Sequence, residues 1–225
     1  MEVLVYILLI LTSFAGLTVI IERGWALRWR QVVPPEVEAA VQSCHSPADV
    51  PMLRKICEQH DSPMSRLLLL AAEHLDWSKP DITDALQSRA RHEITHLERG
   101  LVVLEIIVGI APLLGLVGTI VGMMSVFGGI GQADLTDAAK LAHGIALILK
   151  ATLMGLLIAI PSLIAWSYFS KKVEVFAVEM EALCDDFIRR QYAAANPGVP
   201  VPGFRAPDRG PQPAPDAKSQ PSNPA

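Results

Sequence analysis

Residues 111–127, APLLGLVGTIVGMMSVF, constrain this chain more than any other stretch. The run is uncharged, with glycines at 115, 118 and 122 and one central hydroxyl, at Thr119. Glycines three and four residues apart let helices approach closely in lipid. A hydroxyl among them is poorly placed against acyl chains. The pattern predicts a transmembrane helix that packs against other protein and lines an interior.

Two more apolar blocks accompany it. Residues 3–21 are uncharged, residues 101–127 are interrupted only by Glu105, and residues 141–169 only by His143 and Lys150. A hydrocarbon core needs about 20 consecutive apolar residues, so spans are expected at 1–21, 101–127 and 141–169. A hydrophobic content of 51% agrees, as does a mean hydropathy of +0.36. The predicted fold class is an all-α membrane protein whose second and third spans extend into a cytoplasmic helical bundle.

Charge orients the spans. Arg23, Arg28 and Arg30 follow the first, Arg89, Arg91 and Arg99 precede the second, and Lys171 and Lys172 follow the third. Basic residues concentrate on the cytoplasmic side. The N-terminus is therefore expected in the periplasm, a helical segment at 22–100 in the cytoplasm, a short periplasmic loop at 128–140, and the C-terminus in the cytoplasm. The opening Met1-Glu2 lacks the basic n-region of a signal peptide, so the first block reads as a retained anchor. The net charge of −4 gives no sign of nucleic-acid binding. Cys44, Cys57 and Cys184 fall on the reducing side, where disulfides are rare.

Between the spans, Ser46-Pro47 and Ser62-Pro63 mark helix starts, a capping hydroxyl followed by proline at the first helical position. Ser78-Lys79-Pro80-Asp81 opens another helix, and residues 81–127 read as one rod. Residues 170–195 continue the third span as an amphipathic helix through Val175, Val178, Leu183, Phe187 and Ile188. Residues 196–225 are rich in Pro and Ala and are expected to be disordered.

No acid stands at mid-depth in any span, although proton relays through membranes commonly use one. A relay through this chain would need a carboxyl from another polypeptide. Thr119 and Thr152 are the hydroxyls in reach, Thr152 standing on one stripe with Gly155, Ala159 and Ser162. Such a hydroxyl can bond back to its own helix, or donate to and accept from a partner carboxyl.

Residues 97–127 followed by 144–169 resemble the two signature spans of the TolQ/ExbB/MotA proton-channel family. The combination of APLLGLVGT with Ala151, Thr152, Gly155, Leu156, Ala159, Ile160 and Pro161 carries the likeness, and the single N-terminal span favours the TolQ/ExbB-like branch. The resemblance implies a ring, usually a pentamer, in an inner membrane, around the helices of a TolR/ExbD-like single-span partner that supplies an aspartate. Thr119 and Thr152 would line the lumen as the proton pathway. Pro112, Gly115, Gly118, Gly122, Gly155, Ala159 and Pro161 would pack its wall. Motion would pass to a TonB- or TolA-like envelope protein. No cofactor, metal or catalytic residue is implied, and the partners are protein and lipid. Family members commonly carry a glutamate where this chain has Leu147, and Lys150 is the nearest charge. Lys150 lies about 160° round the helix from Thr152, placed to reach the outer interface or an adjacent subunit. The missing acid opens a rival reading, a scaffold of the same fold that does not conduct.

An enzyme is the remotest alternative. His92-Glu93-Ile94-Thr95-His96 matches H-E-x-x-H, which on a helix can hold zinc and a general base. The extension to a third histidine fails at Arg99 and Val102, and an ordinary solvated helix face is expected instead. Cys44-His45 with Cys57 and His60 has poor spacing for a structural zinc site.

Overall fold

The computed structural model describes residues 2–130 and 138–195. Their regular structure is entirely helical: α1 (Glu2–Ala26), α2 (Trp29–Val32), α3 (Pro35–Ser43), a 3-10 turn (Pro47–Asp49), α4 (Val50–Gln59), α5 (Pro63–Glu73), α6 (Lys79–Glu98), α7 (Leu101–Ile130) and α8 (Ala138–Ala195). By length and composition α1, α7 and α8 can each cross a membrane. The expected all-α architecture with three transmembrane helices is the one observed. Part of the expected periplasmic loop, residues 131–137, and the tail at 196–225 lie outside the described residues.

Local chemistry sets the short helices. The Ser46 hydroxyl accepts from the Ala48 amide at 3.3 Å while the Asp49 carboxylate accepts from the Ser46 amide at 3.0 Å. This reciprocal pair satisfies donors that a helix start leaves open. Ser62 caps α5 by accepting from the Ser65 amide at 3.1 Å. Ser78 behaves differently, since its hydroxyl donates to the Asp81 carboxylate at 2.6 Å and caps no amide.

The lower half of α8 is the spine of the bundle. Val173, Phe176, Met180, Phe187 and Ile188 are buried against Leu27, Val33, Val37, Leu53, Met64, Leu68 and Ile82. The Trp29 ring packs on Phe176 with centroids 5.3 Å apart. Burying one such side chain is worth about 1.5–3 kcal/mol, which is why helices too short to stand alone persist here. The inward face differs from the one expected. Phe187 and Ile188 are buried, but Val175 and Val178 are exposed, at 46% and 64%.

The rod expected over 81–127 is divided at Arg99–Gly100 into α6 and α7. Glycine is a weak helix former, and α1 exploits the gap by running on past residue 21, through Arg23, to Ala26. Arg23 Nη1 donates to the Leu97 carbonyl at 3.3 Å, an oxygen that an unbroken helix would offer to the amide four residues on. A Cβ on Gly100 would collide with the Arg23 guanidinium. The long-range arginine and the missing side chain together account for the break.

Candidate functional site

Small residues bring α7 and α8 together in antiparallel register. Measured from where a Cβ would sit, Gly122 meets Ile148 Cγ1 at 2.6 Å and Gly118 meets Ala151 Cβ at 2.8 Å. Gly115 lies 3.0 Å from the Ala151 carbonyl oxygen and from Thr152 Cα, and Gly155 lies 2.6 Å from the Ala111 carbonyl oxygen. Ala111 is fully buried, and Ala159 packs with it and Ile107. The glycines at 115, 118, 122 and 155, with Ala159, thus form a seam within one chain, which is the close backbone approach such residues permit.

The two threonines flank this seam at one height, because Gly118, beside Thr119, faces Ala151, beside Thr152. At ~100° per residue, Thr119 stands about 60° off the direction in which α7 faces α8, and Thr152 about 60° off the reciprocal direction. In antiparallel helices those offsets fall on the same side, so both hydroxyls belong to one face of the pair. α1 covers the other side. Its Gly16 lies against Ile107 and Ser162, a Cβ there being 3.3 Å from Ser162 Oγ, and Val5 Cγ1 comes within 3.2 Å of the Cβ position of Gly118. Ser162 itself is buried and donates to the Ile158 carbonyl at 2.8 Å.

Both threonines are half-buried. The Thr119 hydroxyl donates to the Leu116 carbonyl at 2.6 Å, a local bond that leaves its oxygen free to accept. Among the described residues Thr152 makes no hydrogen bond, so its donor and acceptor are both open. Leu116, Met123, Leu149, Leu156 and Ile160 surround them on the same uncovered face, each at least 40% exposed. The face they form is apolar apart from the two hydroxyls.

Pro112 is half-buried in α7, and Pro161 lies exposed in α8, which continues through it. Lys150 is exposed, turned away from the threonine face, with no ion pair among the described residues. The Leu147 side chain lies outside the described residues. Sequence reading passed over Ile148 and Ala151 as seam residues and Gly16 as the contact of α1. A glycine in the first span was the available signal for the last.

The histidine motif resolves differently from expectation. His92 and His96 are exposed, but Glu93 is only 3% exposed and does not lie on a solvated face. Ile82, Leu86, Glu93 and Leu97 share the inward face of α6. Arg66, on α5, grips the carboxylate with two donors at 3.0 and 2.7 Å, and Arg89 adds a contact at 3.1 Å. Burial alone would raise this carboxyl, but the bonds and charge of Arg66, with Arg89 and His92, hold it below the usual range. Three donors thus hold this carboxylate on the inward face of α6, while His92 and His96 are exposed. Arg66 is 27 residues away in sequence, which is why the pairing was not legible. Burial raises the thiols of Cys57 and Cys184, to about 11 and about 12, so both are protonated near neutral pH. Among the described residues no three of His, Cys, Asp and Glu converge as a metal site.

The described residues thus give three helices able to cross a membrane, two of them joined by a glycine seam, and a packed helical bundle. Residues 59–182 match the model of the MotA/TolQ/ExbB proton channel family, and the chain belongs to that family, one of transport proteins rather than enzymes. It is 27% identical over 173 residues to a biopolymer transport protein ExbB homologue of Methanothermobacter thermautotrophicus, covering 76% of this chain and 61% of that one. It is 31% identical over 182 residues to an ExbB-like biopolymer transport protein of Synechocystis, covering 75% and 69%. With biopolymer transport protein ExbB of Helicobacter pylori, identity reaches 40% over 81 residues, 36% of this chain and 56% of the relative. The matched region thus spans 56% to 69% of these relatives' lengths.

Proposed function

We propose that this chain is the ring-forming subunit of an ion-driven motor in the bacterial inner membrane. The uncovered threonine faces of several copies, five by resemblance to the family, form a lumen around the spans of a TolR/ExbD-like partner. The partner's aspartate carries the proton, and Thr119 and Thr152 flank its path. The carrying observation is the level placement of both hydroxyls on the one α7–α8 face that α1 leaves bare. A hydroxyl can accept from a neutral carboxyl and donate to an ionised one, so the wall can solvate both states of the partner's acid without holding a charge of its own. One charge crossing ~100 mV yields about 2.3 kcal/mol, which drives motion of the partner and, through it, a TonB- or TolA-like envelope protein.

Orientation follows from the arginines below α1, with the first residues in the periplasm and the bundle in the cytoplasm. Lys150 then stands near the outer interface on the side away from the lumen, open to headgroups or to an adjacent copy. Leu147, in place of an acid, favours one other reading, a ring that assembles without conducting. A single experiment separates them. Liposomes holding the chain with its single-span partner should pass protons under an imposed potential. Thr152→Val and Thr119→Val should each cut the flux at least tenfold, about 1.4 kcal/mol or more on the barrier, without changing assembly. Flux unchanged in both variants would refute the lumen assignment, and no flux with the unaltered chain would favour the scaffold.

A further inference from the structure

Glu105 is the one acid that the sequence places inside any of its three apolar blocks. It stands about 6 Å into α7 from Leu101, at ~1.5 Å per residue. Its side chain is exposed and makes no hydrogen bond or ion pair among the described residues.

Helical register fixes the face it occupies. Met123 lies five full turns further along α7, at ~100° per residue, and so points the same way as Glu105. Thr119 lies two heptads further along, ~40° round the helix and about 21 Å away. Met123 and Thr119 belong to the face that α1 leaves bare, and Glu105 belongs to it too. α1 meets this end of α7 on another side, through Gly16 against Ile107. On α8 the same bare face continues to this height through Leu163, 46% exposed and ~20° round the helix from Thr152.

The cations at this end of the spans do not neutralise the acid. Lys171 is paired with Glu174 at 2.7 Å, and Lys172 lies over the Tyr168 ring at 5.6 Å. Arg99 is exposed before α7 begins, beside the equally exposed Glu98. An ionisable side chain inside a span faces a bundle interior or a water-filled cavity, because hydrocarbon solvates charge poorly. An unpaired carboxylate on the threonine face therefore asks for water and cations on that face.

We propose that Glu105 sets the cation preference of the lumen at its cytoplasmic end. The inference rests on the ring reading above and adds to it a residue that acts through charge. Each copy contributes one carboxylate to the mouth, as rings of Asp or Glu do in cation channels. The mouth holds protons or small monovalent cations near the exit and repels anions. The chain thus carries one acid on the lumen face, on α7 and near the cytoplasm, although Leu147 supplies none on α8.

The test uses liposomes holding the chain with its single-span partner, and measures proton flux under an imposed potential. At low salt Glu105→Gln should cut the flux about fivefold with assembly unchanged, Glu105→Lys should cut it further, and Glu105→Asp should keep most of it. The gap between the intact chain and Glu105→Gln should narrow at high salt, which screens the carboxylate. Position is read separately with a small, cationic, water-soluble thiol reagent, the three native thiols being buried. Modifying Glu105→Cys should block the remaining flux. Modifying Ile106→Cys, 51% exposed and ~100° round the helix, should not. Flux indifferent to Glu105→Gln and to modification of Glu105→Cys, where Thr152→Val still reduces it, would overturn this inference and leave the lumen reading standing. No flux with the unaltered chain would overturn both.

Discussion

Replacing Gly155 by alanine should lower the melting temperature of the purified chain by about 2–12 °C, reading an overpacking cost of about 1–3 kcal/mol through the scaling for a chain this size. The same change at Gly109 should be neutral or slightly stabilising. Both glycines lie in long apolar helices, so propensity cannot separate them. What separates them is the neighbour. A Cβ on Gly109 meets nothing within 4 Å, whereas one on Gly155 lies 2.6 Å from the Ala111 carbonyl oxygen and 3.3 Å from Gly115 Cα. Those are backbone atoms, which no rotamer change can withdraw, so α7 and α8 must part. Valine at 155 should cost more than alanine, and it should also shift Thr152 relative to Thr119. Thermal unfolding in detergent, followed by loss of the monodisperse species, reads the effect. A neutral Gly155→Ala would mean that the two backbones are not in contact.

Arg66→Met should destabilise the bundle by about 3 kcal/mol near neutral pH, the low end of the cost of stranding one member of a buried ion pair. Arg66 is 30% exposed and Arg89 remains, which keeps the cost from the upper end. The Glu93 side chain, by contrast, is only 4% exposed. The effect should depend on pH. In the intact chain the Glu93 carboxyl is held below its unfolded value, so its stabilisation is complete above about pH 5, where an unfolded carboxyl of ordinary pKa near ~4.3 is already ionised. It is lost as pH falls through that value and on through the folded one. Without Arg66, burial dominates and the carboxyl takes up its proton at higher pH. The stability gap between the two proteins should therefore narrow towards acid. Combining Arg66→Met with Glu93→Leu should recover much of the loss, because no buried charge is then left unpaired. A gap of constant size from pH 7 to pH 4 would show that Arg66 acts through packing and not through Glu93.

These two sites show what could be read in advance. The spans were legible because about twenty apolar residues have few other uses, and glycines at 115, 118 and 122 announced close packing. Their partners were not legible: the seam residues Ile148 and Ala151 are ordinary aliphatic positions until the antiparallel register is fixed. Thr152, Gly155, Ala159 and Ser162 looked like one polar stripe, yet the last three are spent on contacts with α7 and α1, and only the threonine remains on the open face. Glu93 was misplaced on a solvated surface because its arginine comes from another helix. Gly100 was visible as an interruption, but the arginine that uses it lies 77 positions earlier. Val175 and Val178 were taken for core by their chemistry alone, and both are exposed. In each case the missing information was a tertiary contact.

The central claim is that Thr119 and Thr152 form the wall of an enclosed interior built by several copies around a partner's spans. An electron cryo-microscopy structure of the chain purified together with its single-span partner tests this most directly. It should show a closed ring with both hydroxyls pointing inward at one height and a partner aspartate between them. Threonine faces directed at lipid, or a single copy with no enclosed space, would contradict it.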